Sequence, residues 1–170
     1  MLKRAVFVDR DGVLVKPILR NGFPYAPLRW EDFELLPGVA EAVGALKAAG
    51  FFVVVVTNQP EVRRGTLDPA LLDAFHQLLR ESVPVDAILD CRHDDRDHCD
   101  CRKPKPGMIL DPARRYELDL RRSCLVGDTE RDLAPPAPPA SPACSSTPLT
   151  TRTSSPSIAS LTSGPLSVLS

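Results

Sequence analysis

Long hydrophobic runs and a strong net charge are both missing from this sequence of 170 residues. No segment has the roughly 20 consecutive apolar residues that cross a bilayer, so we expect no membrane partner. The 21 Lys and Arg residues nearly balance the 22 Asp and Glu residues, and a formal net charge of -1 does not attract a nucleic-acid backbone. We therefore expect no nucleic-acid partner, and any anion must be bound by a local group of cations.

We also expect no secretion signal. Residues 5–8 are the only apolar stretch between the basic start of the chain and Asp9, which is too short for the core of a signal peptide. We expect a cytoplasmic protein that acts as a monomer. In that compartment, the five cysteines are metal ligands or buried thiols rather than disulfides.

Acidic residues and lysine are absent from the last part of the chain. Residues 134–170 contain eight of the 18 prolines, ten serines and no Lys, Asp or Glu. This composition does not provide a periodic apolar face, so we predict a disordered low-complexity tail after a folded domain at 1–133. A regulatory linker and a shifted reading frame at the end of the gene both fit the composition, and the sequence does not separate them.

Short apolar runs alternate with helical patterns along residues 1–133. The runs lie at 5–8, 51–56, 85–89 and 123–126, and the helical patterns lie at 39–50, 67–79 and 112–117. This alternation predicts an α/β fold with a doubly wound parallel sheet. Polar or metal-binding residues follow all four predicted strands, so we expect these groups to meet at one rim of the sheet.

Two other segments have open interpretations. Residues 17–27 contain Pro, Gly and Arg and predict an irregular loop, which either contacts substrate through Arg20, Asn21 or Tyr25 or is an ordinary surface loop. His76 lies on the predicted helix at 67–79. We interpret it as a solvated or packed histidine rather than a residue with a chemical role.

Two carboxylates, Asp9 and Asp11, follow the first predicted strand, and Gly12 comes next. The glycine allows the backbone to curl so that both acids converge. Two converging acids repel each other unless a cation lies between them, and a hard, oxygen-binding ion such as Mg²⁺ fits best. Because Asp and Gly are common turn residues, an ordinary turn also fits this pattern alone.

Three thiols and an imidazole lie within eleven positions: Cys91, His93, Cys99 and Cys101. Four such ligands predict a closed tetrahedral Zn²⁺ site with a structural role. His98 competes as the fourth ligand, but its position next to Cys99 makes simultaneous tetrahedral binding awkward. The basic segment Arg102–Lys103–Pro104–Lys105 follows directly. A basic run is usually a solvated face, but its position between a metal site and the rim favours phosphate binding by Lys103.

These motifs resemble those of the haloacid dehalogenase-like phosphatases, and within them the D-glycero-D-manno-heptose 1,7-bisphosphate phosphatases. The resemblance covers about residues 4–133. It rests on the following segments: Asp9–Val13, Thr57–Gln59, Arg64–Gly65, Cys91 and His93 with Cys99 and Cys101, Arg102–Met108, and Val126–Asp128. It implies a fold without a large cap domain, in which loops that include the zinc loop enclose a small phosphorylated sugar.

The resemblance also implies a role for each site residue. Asp9 is the nucleophile that forms an aspartyl-phosphate, and Asp11 is the general acid and base. Mg²⁺ is held by Asp9, the Asp11 carbonyl and Asp128. Thr57 and Lys103 hold the phosphoryl oxygens. The expected substrate-binding residues are Asn58, Gln59 and Arg102.

The resemblance implies hydrolysis of the 7-phosphate of a heptose bisphosphate, and two alternatives remain open. Histidinol-phosphate phosphatases share the zinc loop. The sequence also departs from the family pattern at Thr129, where related enzymes often carry a basic residue, and after Ala134, where the tail does not match. An inactive zinc-binding remnant with an aberrant carboxyl end is therefore the second alternative.

Overall fold

The regular structure consists of parallel strands joined by helices. The computed structural model describes residues 2–20, 22–128 and 167–169. The α-helices in these residues are α1 (Val39–Ala48), α2 (Pro60–Arg63), α3 (Pro69–Ser82) and α4 (Gly107–Tyr116). The strands are β1 (Ala5–Val8), β2 (Ile18–Arg20), β3 (Phe23–Tyr25), β4 (Phe52–Asn58), β5 (Ala87–Cys91), β6 (Cys124–Val126) and β7 (Ser167–Leu169).

Five parallel strands form one sheet in the order β5, β4, β1, β6, β7. The chain starts at β1, continues to one side through β4 and β5, and then returns to the other side of β1 with β6. This is the doubly wound α/β fold that the sequence predicts. The strand order reverses beside β1, and folds of this kind bind ligands beyond the carboxyl ends of the strands at that point.

Strand β1 is buried on both faces of the sheet. Val6 and Val8 pack in a cluster with residues of α1 and α3, whereas Ala5 and Phe7 pack on the opposite face with residues of α4. This division follows from the alternation of side chains along a strand. Because hydrophobic contacts fix β1 on both sides, its carboxyl end is a rigid support for the residues that follow it.

Helix α3 begins as the sequence predicts, with Asp68 at the N-cap and Pro69 in the first turn. Helix α4 begins five residues earlier than predicted and includes Pro112. Its first residue is fixed by a tertiary contact, because the Gly107 amide donates a hydrogen bond of 3.0 Å to the Asp100 carbonyl. A β-carbon at position 107 would lie 2.4 Å from that oxygen, so the close approach requires glycine.

One prediction of irregular structure differs from the fold, and a second falls mostly on residues that the structure does not describe. Residues 17–27 contain an antiparallel hairpin of β2 and β3. The predicted disorder at 134–170 falls mostly outside the described residues, but Ser167–Leu169 form a strand that pairs with β6. A physical reason is that β6 would otherwise present an unpaired edge, and backbone pairing to an edge makes few demands on side chains.

Among the helices in residues 2–20 and 22–128, none is both long and apolar enough to span a bilayer.

Candidate active site

A cavity of about 450 Å³ lies beyond the carboxyl ends of the central strands. It brings together most of the residues that the sequence predicts for the site: Asp9, Asp11, Thr57, Asn58, Arg102, Lys103 and Asp128. The residues come from four segments that are far apart in the chain, and the parallel sheet is what places them side by side. The predicted convergence of the strand ends at one rim is therefore observed.

Asp9 follows β1 directly and is buried in an ion pair. Its Oδ1 atom lies 2.8 Å from Lys103 Nζ, and both residues are more than 90% buried. The backbone amide of Asp9 donates to the Val126 carbonyl, which fixes the residue to β6. A buried carboxylate beside a buried ammonium is a suitable place for a phosphoryl group, because the cation offsets the repulsion between two anions.

The carboxylate of Asp11 is held by three side chains. Arg10 donates from Nε and Nη2 to its two oxygens, at 3.0 Å each. Gln59 Nε2 donates to Asp11 Oδ2 at 2.7 Å, and the Thr57 hydroxyl lies 3.4 Å from the same oxygen. Asp11 therefore has a fixed orientation at the edge of the cavity, next to Asp9.

Gln59, predicted as a substrate-binding residue, lies in the interior and not at the cavity surface. Its side chain is fully buried and does not line the cavity. It donates to Asp11 and to the Thr57 hydroxyl, at 2.7 and 2.9 Å. The side chain thus supports two residues of the site, and sequence reasoning missed this because a polar residue after a strand gives no sign of whether it faces inward.

Lys103 is positioned by the end of strand β4. Its Nζ atom donates to the Val56 carbonyl at 3.2 Å. The Asn58 side chain donates to the Lys103 carbonyl and accepts from the Lys103 amide, both at 3.0 Å. Asn58 lines the cavity, but its amide group is engaged with the backbone of Lys103. A buried lysine with these contacts has one fixed position toward Asp9.

Asp128 lies against the loop that carries Asp9 and Asp11. A β-carbon on Gly12 would lie 1.9 Å from Asp128 Oδ2, and Gly12 has a φ of +92°. Only glycine allows both the backbone turn and the close approach of this carboxylate. The Asp9 and Asp128 carboxylates and the Asp11 carbonyl are oxygen donors of the type that Mg²⁺ prefers, so the donor set fits this ion.

The cysteine loop, residues 91–101, brings its four predicted ligands together. Their ligand atoms all lie within 4.8 Å of one another, and His98 is not part of this group. The separations between Cys91, His93 and Cys101 atoms are 3.1 to 3.6 Å. A tetrahedron around zinc with ordinary bond lengths has edges of roughly 3.5 to 3.8 Å, so the set fits Zn²⁺.

The pKa values of the three thiols in this loop are shifted in different directions. Burial opposes ionisation of Cys99, but hydrogen bonds with the Arg102 backbone and with the other two thiols outweigh it and lower the pKa of Cys99. Burial, together with the neighbouring sulfurs, raises the pKa of Cys101 far above its usual value. Burial also raises the pKa of Cys91. A metal ion in this site would have to displace thiol protons, so its affinity would fall as the pH falls.

Ion pairs and hydrogen bonds connect the cysteine loop to its surroundings. Arg64 on the turn after α2 donates two hydrogen bonds to Asp94, at 2.7 and 3.0 Å. This pairing, together with the Asp95 amide, lowers the pKa of the Asp94 carboxyl well below its usual range. Arg102, which lines the cavity, pairs with Asp95 at 2.6 Å. The cysteine loop therefore forms part of the cavity lining through Asp95.

The hairpin of β2 and β3 forms the apolar wall of the cavity. Phe23, Pro24 and Tyr25 line it, although Phe23 is 66% exposed. Arg20 does not line the cavity, and its guanidinium lies 5.9 Å from the centre of the Tyr25 ring. Of Arg20 and Tyr25, the two described residues considered for substrate contact in this segment, Tyr25 is the one at the site. Asn21, like Thr129, lies outside the described residues.

Two residues near the site were not singled out for it by the sequence. Arg10 is fully buried between Asp9 and Asp11, and His76 on α3 is 3% exposed with Nε2 at 3.3 Å from Arg10 Nη1. Of the two interpretations of His76, the packed one is correct. The available signal was the position of Arg10: along an alternating strand end, a residue between two acids that face the cavity must point into the interior.

Comparisons with known proteins agree with this arrangement. A family model described as a haloacid dehalogenase-like hydrolase matches residues 24–137. A Bordetella bronchiseptica protein named D-glycero-beta-D-manno-heptose-1,7-bisphosphate 7-phosphatase is 40% identical over 135 residues, which cover 76% of this chain and 73% of the relative. A Mycobacterium bovis protein that carries the corresponding name for the alpha anomer is 37% identical and is covered to 68%, with 75% of this chain matched.

Solved structures show the same relationship. The D,D-heptose 1,7-bisphosphate phosphatase of B. bronchiseptica, complexed with magnesium and phosphate, has a TM-score of 0.66 and 39% identity, over 77% of this chain and 73% of that one. The corresponding phosphatase of Burkholderia thailandensis has a TM-score of 0.52 and 30% identity, over 77% and 70%. The resemblance predicted from the motifs is confirmed: the chain belongs to the haloacid dehalogenase-like hydrolase family.

Proposed function

We propose that the protein hydrolyses the 7-phosphate of D-glycero-D-manno-heptose 1,7-bisphosphate through an aspartyl-phosphate intermediate. The observation that carries the proposal is the buried pair of Asp9 and Lys103, in one cavity with Asp11 and Asp128. Relatives that are 33 to 40% identical are named as phosphatases of this substrate. We further propose that the protein acts as a monomer in the cytoplasm.

In the first step, an oxygen of Asp9 attacks the phosphorus of the 7-phosphate, and the bond from phosphorus to the sugar oxygen breaks. Asp11 donates a proton to that oxygen, so the sugar leaves as a neutral alcohol. The contacts of Asp11 with Arg10, Gln59 and Thr57 hold its carboxyl group next to the nucleophile.

In the second step, water attacks the phosphorus of the aspartyl-phosphate while Asp11 takes a proton from the water. The bond between phosphorus and the Asp9 oxygen breaks, which releases inorganic phosphate and restores the carboxylate. Lys103 and Thr57 hold the phosphoryl oxygens through both steps. Because Lys103 is held by Val56 and Asn58, its charge is already in place before the substrate binds.

Two metal ions complete the proposal. Asp9, the Asp11 carbonyl and Asp128 would hold Mg²⁺, which neutralises charge between the nucleophile and the phosphoryl group when it is bound. Cys91, His93, Cys99 and Cys101 would hold a structural Zn²⁺. Arg102 lies beside that cluster and lines the cavity, so we assign it to substrate recognition together with Asn58.

The test is a comparison of substrates with the full chain in the presence of Mg²⁺. Both anomers of the heptose bisphosphate and histidinol phosphate are incubated with the protein, and ³¹P NMR identifies which phosphate is lost. We expect loss of the 7-phosphate, with a higher kcat/KM than for histidinol phosphate. A higher kcat/KM for histidinol phosphate would contradict the proposal.

A separate outcome would indicate the inactive remnant. Protein that binds zinc and hydrolyses no phosphate ester would contradict the proposal for this chain. A matched chain, in which residues 134–170 are replaced by the carboxyl-terminal segment of the Bordetella relative, then tests the cause. If that chain is active, the tail is responsible, and if it is also inactive, the site itself is at fault.

A further inference from the structure

We propose that Arg10 and His76 are positioning residues for Asp11: Arg10 clamps the Asp11 carboxylate, and a neutral His76 fixes the orientation of Arg10. The part of this inference that concerns turnover rests on the proposed function. Neither side chain lines the cavity, so both act through Asp11 and not on the substrate.

Arg10 makes a two-pronged contact with Asp11. Its Nε atom lies 3.0 Å from Oδ1, and Nη2 lies 3.0 Å from Oδ2. A planar guanidinium in this geometry fixes the plane of the carboxylate as well as its position. The side chain of Arg10 is fully buried. It is thus shielded from water, which would otherwise compete for the carboxylate.

The remaining Nη1 atom of Arg10 faces His76. It lies 3.3 Å from Nε2 of the ring. Arginine is always protonated in proteins, so its Nη1 atom can only donate, and Nε2 of His76 must be the acceptor. The ring proton therefore resides on Nδ1, which lies 3.8 Å from Oδ1 of Asp90. This assignment defines one tautomer of a neutral imidazole.

The charges around His76 also favour the neutral ring. Burial, followed by the positive charge of Arg10, is the main cause that lowers the pKa of His76 to about 4, whereas Asp90 opposes the change. Arg80 on the same helix and Arg92 after β5 add to the lowering. A protonated ring would present an N–H group to the Nη1 of Arg10 and break the contact.

Asp90 is itself fixed from the other side. Arg92 Nε donates to Asp90 Oδ2 at 2.6 Å, and Arg92 also pairs with Asp73 on α3. The contacts thus continue from the surface of α3 through Asp90, His76 and Arg10 to Asp11. The links from Asp11 to Arg10, from Arg10 to His76 and from Asp90 to Arg92 are within hydrogen-bond distance, and the link from His76 to Asp90 is a longer polar contact of 3.8 Å.

The first test measures turnover in variants of His76. H76Q keeps an acceptor for Arg10 and a donor for Asp90, whereas H76L offers neither. Removing an outer partner of a catalytic group typically costs 10- to 100-fold, so we expect kcat of H76L to fall by roughly that factor, with KM unchanged. H76Q should retain most of the wild-type kcat, and R10K, which cannot form the two-pronged contact, should resemble H76L.

The control is Leu79→Val, a substitution in the buried core one turn further along α3. It removes packing without touching Arg10. If H76L has the same kcat as Leu79→Val, or if H76Q and H76L lose activity equally, the positioning role is wrong. A rise in KM with unchanged kcat would also contradict it.

The second test does not depend on activity. In ¹⁵N-histidine-labelled protein, His76 should be the Nδ1-protonated neutral tautomer from pH 5 to pH 8, and H76Q assigns its signals. An Nε2-protonated ring, or an imidazolium at pH 7, would overturn the inference. If the wild type hydrolyses no phosphate ester, the proposed function fails, but this measurement still decides whether the clamp exists.

Discussion

The strand ends and the cysteine loop hold their functional groups by different physical means. Asp9 and Thr57 extend strands that are buried on both faces, so hydrophobic packing fixes their backbone. In the cysteine loop, the residues between Cys91 and Cys101 are polar and half-buried or exposed. One half of the site is thus ordered by the core, and the other half depends on polar contacts and on the four side chains of the proposed zinc site.

The polar contacts of the loop are weak supports by themselves. Its ion pairs with Arg63 and Arg64 involve side chains that are 64% and 45% exposed. Exposed ion pairs typically contribute about 0 to 1 kcal/mol each, whereas a structural zinc ion contributes about 10 kcal/mol or more. We therefore expect the loop to require the proposed zinc ion, while the strand ends keep their structure when a charge is changed.

The largest expected effect is on the chemistry of the strand ends. Asp9→Asn removes the proposed nucleophile but keeps its size, and we expect phosphate release to fall on the order of 10⁴-fold or more. The melting temperature should stay near that of the wild type, because the core fixes this segment. Activity close to the wild type would rule out the mechanism, and a collapsed fold would contradict the comparison.

The second largest expected effect is on the free energy of unfolding at acidic pH, and it depends on His76. An unfolded chain protonates His76 near pH 6.5, but the folded protein does so only near pH 4. The unfolded state therefore binds more protons in this window, and the free energy of unfolding falls as the pH falls from about 6.5 to about 4. A difference of this size corresponds to at most about 3 kcal/mol.

Urea unfolding at several pH values measures this effect. H76Q shares every other titrating group with the wild type, so the difference between the two curves isolates His76. We expect the curves to converge as the pH falls below about 6.5. Parallel curves from pH 7 to pH 4 would show that His76 does not have the lowered pKa.

Loss of zinc tests the other half of the comparison. Cys101→Ala removes one ligand, and we expect the cysteine loop to lose its fixed position and displace Arg102 and Lys103. A misplacement of about 1 Å costs roughly 10²-fold in rate, so kcat should fall by that amount. Circular dichroism should show an intact sheet. The measurements are zinc content, phosphate release and far-ultraviolet spectra.

The matched control for this variant is Cys124→Ala. Cys124 is buried in β6 and does not belong to the cluster. It should retain zinc and most of its activity. If Cys101→Ala loses zinc but keeps full activity, the loop does not position the cavity.

The smallest effect concerns the contact between Gly12 and Asp128. Gly12→Ala places a β-carbon against the Asp128 carboxylate, and we expect the Mg²⁺ concentration for half-maximal activity to rise roughly tenfold. Gly50→Ala is the control, because Gly50 also has a positive φ but has open space around it. Both variants carry the same backbone strain, so an equal response to Mg²⁺ would exclude a specific role for Gly12.

The sequence was sufficient for features that depend on local pattern. Strand β1 is predicted correctly because its apolar run must be buried, and the meeting of Asp9 with Thr57 follows from parallel strands in one sheet. The cysteine loop is predictable for the same reason, since ligands that are close in sequence are close in space. Asp68 marks the start of α3 by its capping preference alone.

Features that depend on tertiary contact were not predictable in this way. Asn58 ends strand β4 and Gln59 follows it, and only the packing around them decides that Gln59 is buried and Asn58 lines the cavity. The contact of His76 with Arg10 joins residues 66 positions apart. The start of α4 depends on the approach of Gly107 to Asp100. Strands β2 and β3 have only three residues each, which is too short to give a strand pattern.

The paired hydrogen bonds between the Asn58 side chain and the backbone of Lys103 imitate one rung of a β-ladder. Lys103 is thereby paired to the end of β4, although it belongs to no strand itself. An aspartate at this position would keep the acceptor but lose the donor, and its charge would face a backbone carbonyl. Deamidation of Asn58 would therefore weaken the position of Lys103. It would do so without removing any charged residue of the cavity.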